Sequence, residues 1–266
     1  HKTINSYDNG SLSEADLLSK EIALFLLNFA KDSEKFRYHD YPLNQLFGIQ
    51  NGYPSFMEAQ HQVNNVDDVE NYLLRLVLVK AKFTQALEGL ELRENKGIIP
   101  PMFVIERVLD EMNTFVDKPI EENILYASLA KKMTDSDEIS DAEQVDLLAR
   151  AKVNIHEYVH PAYQLFIDYF TGLKSKATND DGFWRLPDGE EAYASSLKFF
   201  TTTDYTPQYI HDIGIKEVNR IQTEIMTILE NQNYDVTQGF TVAIENLAAD
   251  ESFYYEDSDE GRAQIL

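Results

Sequence analysis

Residues 140–172 read SDAEQVDLLARAKVNIHEYVHPAYQLFIDYFTG. Ser140 and Glu143 stand at capping-box spacing, where the serine hydroxyl accepts the third backbone N–H of a helix and the glutamate reaches back to the serine N–H. Leu148, Ile155, Val159, Ala162 and Phe166 then recur at intervals of three, four and seven, which gathers them on one face of a helix. Gly172 supplies the stop. The stretch predicts one long helix from Ser140 to about Phe170.

The same signals recur outward in both directions. Ser11 with Glu14 predicts a cap for an apolar helix reaching about Ala30, and Asp67 with Glu70 starts another that runs to Asn95 and stops at Gly97. Pro100-Pro101 opens a third, and Pro119 suits the first turn of a helix through Lys132. Downstream, Asp188-Gly189 leads into a helix over Glu190 to Phe200. Thr206 caps the next, with Pro207 at its first position, which runs to about Leu229. Loops are expected at 37–66, 95–100, 133–140, 172–189 and 230–240. Only Gly239 to Ile244 has a strand-like period, and it reads equally as the start of a last helix. The expectation is an all-α, multi-helix array with long loops and little or no sheet. It forms one helical region over 1–266, with any sub-boundary at the acidic stretch near 133–140.

Composition bounds the function. The 266 residues are 43% hydrophobic and 12% aromatic, enough for a substantial core. Forty-six acidic against 23 basic residues give a net charge of −23, which repels phosphate backbones, so nucleic acid is not an expected partner. The longest apolar run, Ile22 to Ala30, contains Asn28 and falls far short of the roughly 18 residues of a membrane span. With no cysteine, disulfides, thiolate metal sites and cysteine nucleophiles are excluded.

One motif could carry chemistry alone. His156-Glu157-Tyr158-Val159-His160 is an HExxH, in which two imidazoles four residues apart can share a zinc ion while the glutamate deprotonates its water. At about 100° per residue, however, both histidines fall roughly 100 to 140° from Ile155 on the apolar stripe, and Glu157 near 200°, so the motif points away from the helix's own core. Pro161 follows directly and removes the N–H that would reach the carbonyl of Glu157, so a kink is expected there. A metzincin would place Gly and His where Tyr163 and Phe166 stand. Glu190, Glu191 and Glu217 are candidates for a third ligand, with nothing to choose among them. The bland alternative is two boundary histidines on a structural helix. Trp184, beside Phe183, reads as an aromatic anchor packed onto helices. His211 reads as facing a cleft with Thr202 and Asp204 beside it, or as a surface histidine, and Gly214 as permitting close helix packing.

Ordered short motifs run along most of the chain. Tyr41-Pro-Leu-Asn44 leads on to Phe56, and a helix carries Val69-Glu-Asn-Tyr72-Leu-Leu-Arg75-Leu76. Then come the turn Gly97-Ile-Ile-Pro-Pro101, Val159-His-Pro-Ala-Tyr163, Leu186-Pro-Asp-Gly189 with Tyr193, and Thr201-Thr-Thr203 followed by Thr206-Pro207, Ile210-His211, Gly214 and Glu217-Val218. In this series the chain resembles the bacterial family called domain of unknown function 885. The resemblance implies a mostly helical, secreted or lipid-anchored zinc-metallopeptidase-like protein, hence an extracytoplasmic location and a peptide substrate. It implies that the family's zinc motif, a histidine and glutamate followed by Pro-Gly-His-His, lies beyond the point matching Leu266. The chain would then be the substrate-cleft or scaffold part, inactive alone and holding no cofactor, with the missing C-terminal catalytic part as its partner. Tyr193, Thr202, Asp204 and His211 are its cleft candidates, and no residue is catalytic. Two alternatives stand beside it: a self-contained zinc peptidase using His156, Glu157 and His160, and a non-catalytic helical module that binds a peptide or protein. The segment Gly239 to Leu266 is expected to be either mobile or paired with another copy, the alternative being a normally packed terminal helix.

Overall fold

In the computed structural model, which describes residues 1–265, the chain forms α1 (Lys2–Asn5), α2 (Glu14–Asp32), α3 (Ile49–Ala59), α4 (Val66–Asn95), α5 (Met102–Asp117) and α6 (Ile124–Thr134). It continues through α7 (Asp141–Asn154), α8 (His160–Leu173), α9 (Gly189–Thr201), α10 (Pro207–Asn231), α11 (Phe240–Ala248) and α12 (Asp259–Ile265). No strand occurs among the described residues, so the fold is all-α, and the ambiguous Gly239 segment is helix α11.

The capping signals locate most boundaries. Ser140 and Glu143 form the expected reciprocal box at α7, and Thr206 accepts the N–H of Tyr209 at α10. Gly97 takes φ 75° after α4, a left-handed conformation that glycine adopts without a Cβ penalty. Two caps differ from expectation by two residues. Ser13, not Ser11, caps α2, and Asn65, not Asp67, caps α4 by accepting the Asp68 N–H at 3.0 Å. A short polar side chain nearer the first N–H groups wins each end. After Pro119 the chain makes a 3₁₀ turn (Ile120–Glu122) before α6, because the buried Asn123 caps α6 and also donates to the carbonyl of Phe115 at 3.1 Å. The largest correction is α3, which lies inside the loop expected over 37–66.

The chain divides into two compact units, His1–Ser195 and Ser196–Leu266; the acidic stretch near 133–140 falls inside the first. That unit is built around α4 and α8, with α4 also against α7 and α5 against α8. At its centre Phe83 of α4 stacks on Phe166 of α8, centroids 4.6 Å apart, and meets Tyr163 edge-on at 5.2 Å, while Phe115 stacks on Tyr163 at 4.2 Å. Each fully buried side chain of this size stabilises the fold by about 1.5–3 kcal/mol. In the second unit α10 packs on α11, and Tyr234 donates to Asp250 at 2.6 Å beyond it.

Candidate functional site

α3 folds on tertiary rather than local terms. Ile49, Tyr53, Phe56 and Met57 share a face, but Pro54 sits inside the helix and has no N–H for the carbonyl of Gln50. That carbonyl is met instead by the hydroxyl of Tyr163 from α8. Tyr163 is almost wholly buried, and a buried phenol needs a partner; burial also pushes its hydroxyl well above the ordinary phenol range. Each group therefore removes the other's deficit. At the far end, Lys132 Nζ donates to the carbonyls of Met57 at 2.9 Å and His61 at 2.7 Å, closing the helix C-terminus.

Pinned in this way, α3 packs on α6 and faces α4 across a groove of about 480 Å³. The floor is Met57 and Val79, both buried, with Tyr53. Phe47, Phe56 and Leu78 stand up as walls; Phe47 is 89% exposed. Gly52 widens the groove, since a Cβ there would meet no atom within 4 Å. Two cations flank it, Arg75 and Lys82, and among the described residues no carboxylate lines it. Arg75 lies over the ring of Phe56, 5.2 Å from its centroid, and donates to Nδ1 of His61. His61 Nε2 then donates to the carbonyl of Asp68 at 3.0 Å, so the imidazole is neutral. Burial first, and then Arg75 and Lys132, hold its pKa below the ordinary value.

The HExxH lies elsewhere in the unit. Residues Ile155–Val159 form a π-helical turn, with His160 N–H reaching the carbonyl of Ile155, and α8 follows from His160 with Pro161 in its first turn. The kink expected at Pro161 takes this form because the wider turn relieves the clash between the ring and the carbonyl four residues back. His156 and Glu157 are exposed, as the phase of the apolar stripe implies, 3.7 Å apart at their nearest atoms. His160 is only half-exposed. The wider turn shifts its phase toward the protein, its ring lies 6.3 Å from that of His156, and its Nε2 is enclosed without a hydrogen-bond partner. Its pKa is held low by burial and secondarily by His156. Of the ligand candidates, Glu191 is paired with Lys35, Glu217 with Arg220 at 2.8 Å, and Glu190 is exposed. Among the described residues no three metal-binding side chains are grouped.

Of the cleft candidates, Tyr193 belongs to the first unit and is half-exposed on α9. Thr202, Asp204 and His211 belong to the second. Thr202 has φ 54°, an outlier for a β-branched residue, and Asp204 pairs with Lys198 at 2.7 Å, while His211 is exposed on the first turns of α10. Two expectations are corrected. Trp184 is 63% exposed, because the 3₁₀ turn Phe183–Arg185 turns Leu186 inward and sends Arg185 to the hydroxyl of Tyr41. Nor does Gly214 sit at a close packing, since a Cβ there meets nothing within 4 Å. The groove itself was missed by sequence reasoning. Its signal, the spacing of Ile49, Tyr53, Phe56 and Met57, is masked by Gly48, Gly52 and Pro54.

Comparison with known proteins adds three findings. The family described as bacterial protein of unknown function, DUF885, matches over residues 2–266. A crystal structure described as that of "the putative lipoprotein from Colwellia psychrerythraea" superposes with a TM-score of 0.81 at 22% identity, covering 85% of this chain and 38% of that one. A search of the curated proteins finds no match. At that identity the structural likeness concerns the fold.

Proposed function

The chain belongs to the DUF885 family, and from that premise we propose that it is the helical scaffold and substrate-cleft part of a larger, secreted or lipid-anchored zinc-metallopeptidase-like protein, with no complete catalytic centre of its own. One observation supports this reading: the way the HExxH segment is built into the helical framework. Its middle is a π-helical turn, its histidine-glutamate pair faces solvent, and the tyrosine three residues on is spent holding α3. The chain spans 38% of the length of the solved lipoprotein-described relative, which is compatible with a further part holding the zinc, and that description favours an extracytoplasmic location. No helix of the described residues is long and apolar enough to cross a membrane. Thr202, Asp204 and His211, all in the second unit, are the residues we assign to the peptide cleft. The unusual backbone of Thr202 supports that choice, since strained positions cluster at functional sites.

The enclosed, unpartnered Nε2 of His160 favours a second reading, in which His156 and His160 hold zinc and Glu157 is the base. Metal analysis and a peptidase assay on the purified chain separate the two. The scaffold reading expects less than stoichiometric zinc and no peptide hydrolysis. Stoichiometric zinc that disappears in His160→Ala overturns it.

A further inference from the structure

The groove between α3 and α4 has an unusual inventory for this molecule. Acidic residues outnumber basic ones by 46 to 23 across the chain, yet among the described residues the only charges lining the groove are the cations Arg75 and Lys82. Among the described residues neither is paired with a carboxylate. They stand seven residues apart on α4, about 10 Å along the helix axis. Arg75 is occupied by His61 and the ring of Phe56, whereas Lys82 is exposed and makes no hydrogen bond or ion pair among the described residues. Lys82 is therefore the free cation at one end of an apolar trough. Charge complementarity calls for an anionic group at that end, and the Met57, Val79 and Tyr53 floor calls for hydrocarbon along the rest.

The walls decide between an extended peptide and a simple chain. Apart from Phe47 and Gly48 just before α3, both are helices, whose interior backbone N–H and C=O groups are consumed internally, and the one carbonyl freed by Pro54 already receives Tyr163. An extended peptide laid in the groove would bury amide groups without partners, which opposes binding, while an acyl chain has none to satisfy. We propose that this groove is a binding site for a single-chain fatty carboxylate, its chain on the Met57–Val79 floor between Phe47 and Phe56 and its carboxylate on the ammonium of Lys82. The inference goes beyond the scaffold reading and does not depend on it, since neither zinc nor peptide hydrolysis enters.

Calorimetric titration with hexadecanoate, kept below its micellar concentration, tests it. The expected result is saturable binding of one hexadecanoate per chain, with hexadecanol weaker by about tenfold, the size of one lost charge-assisted contact. Lys82→Ala should lose the same factor, and Lys82→Arg should keep most of the affinity. Gly52→Leu, which places a side chain in the empty space of the groove and is a better helix former than glycine, should abolish binding with an unchanged circular dichroism spectrum and melting point. Absence of saturable binding overturns the proposal. So does equal affinity for the alcohol and the acid, or full binding by folded Gly52→Leu, which would move the ligand elsewhere. A peptide with an apolar C-terminal residue that displaces hexadecanoate competitively would replace the proposed ligand class.

Discussion

The two units of this chain bury their apolar residues very differently. In the first, a continuous core runs from Leu43 to Leu173, with Phe83, Tyr163 and Phe166 at its centre. In the second, α10 is longer than α5 or α8 and as amphipathic in pattern, yet only Leu229 is buried along it, and Ile213, Ile215, Val218, Ile221 and Ile228 remain exposed. Periodicity alone gives a helix an apolar face; only neighbouring elements decide whether that face leaves water. In the first unit α4, α5, α7 and α8 cover one another, although α2 buries no residue of its own; in the second, the neighbours of α10 include α11 and α12, which are short. Exposed apolar strips of this kind mark association surfaces.

The widest separation between the units should appear in hydrogen exchange. Amides of α4 and α8 are expected to open only with global unfolding, about 5–15 kcal/mol, whereas those over 240–265 should open at close to zero in a monomer or be protected only in a dimer joined through Phe253 to Tyr255. Strong protection there in a clean monomer would erase the contrast. Next in size is a matched pair of truncations followed by urea unfolding. Phe166→Ala should cost about 3–5 kcal/mol and Ile221→Ala less than about 0.5, because only the first leaves a cavity. Equal losses would mean that α10 is covered in solution.

Tyr163→Phe isolates one hydrogen bond of the first unit. It keeps the ring stack but strands the carbonyl of Gln50, so a loss of about 1–3 kcal/mol is expected, and a neutral result would mean that water replaces the hydroxyl. In the opposite direction, Gly214→Ala should stabilise α10 by up to about 1 kcal/mol, read as increased helicity and a higher melting point. The smallest effect is a pH slope from His61, which faces Arg75, Lys132 and the carbonyl of Asp68. Its folded pKa lies below the unfolded value of 6.5, so the unfolded chain binds the extra proton first. That contribution is complete above 6.5 and is lost as the pH falls toward the folded value. Melting in His61→Gln should show a flatter slope there, and an unchanged slope would assign it to other groups.

Much of the fold was legible because its signals are local. A capping serine, asparagine or threonine acts on an N–H two or three residues away, and Gly97 ends α4 by its own φ, so boundaries at α4, α7 and α10 follow from neighbours in sequence to within two residues. The ordered motifs that place the chain in its family are equally local, and so is the exposure of His156 and Glu157, which follows from the phase of one stripe. The acidic balance and the absence of cysteine need no structure at all.

What sequence could not reach lies at long separation. α3 reads as loop because Gly48, Gly52 and Pro54 weaken every local helix signal, and it stands because Tyr163, 113 residues away, caps the carbonyl that Pro54 orphans and Lys132 closes its end. The groove, its cations and the enclosed nitrogen of His160 inherit that dependence. The sequence by itself determined that the chain is helical, where most helices start, and to which family it belongs, because those depend on interactions within one or two turns. Which helix faces are buried, which carbonyl a tyrosine meets and whether two cations share an apolar trough were decided only by tertiary packing, because each depends on groups that chain order keeps far apart.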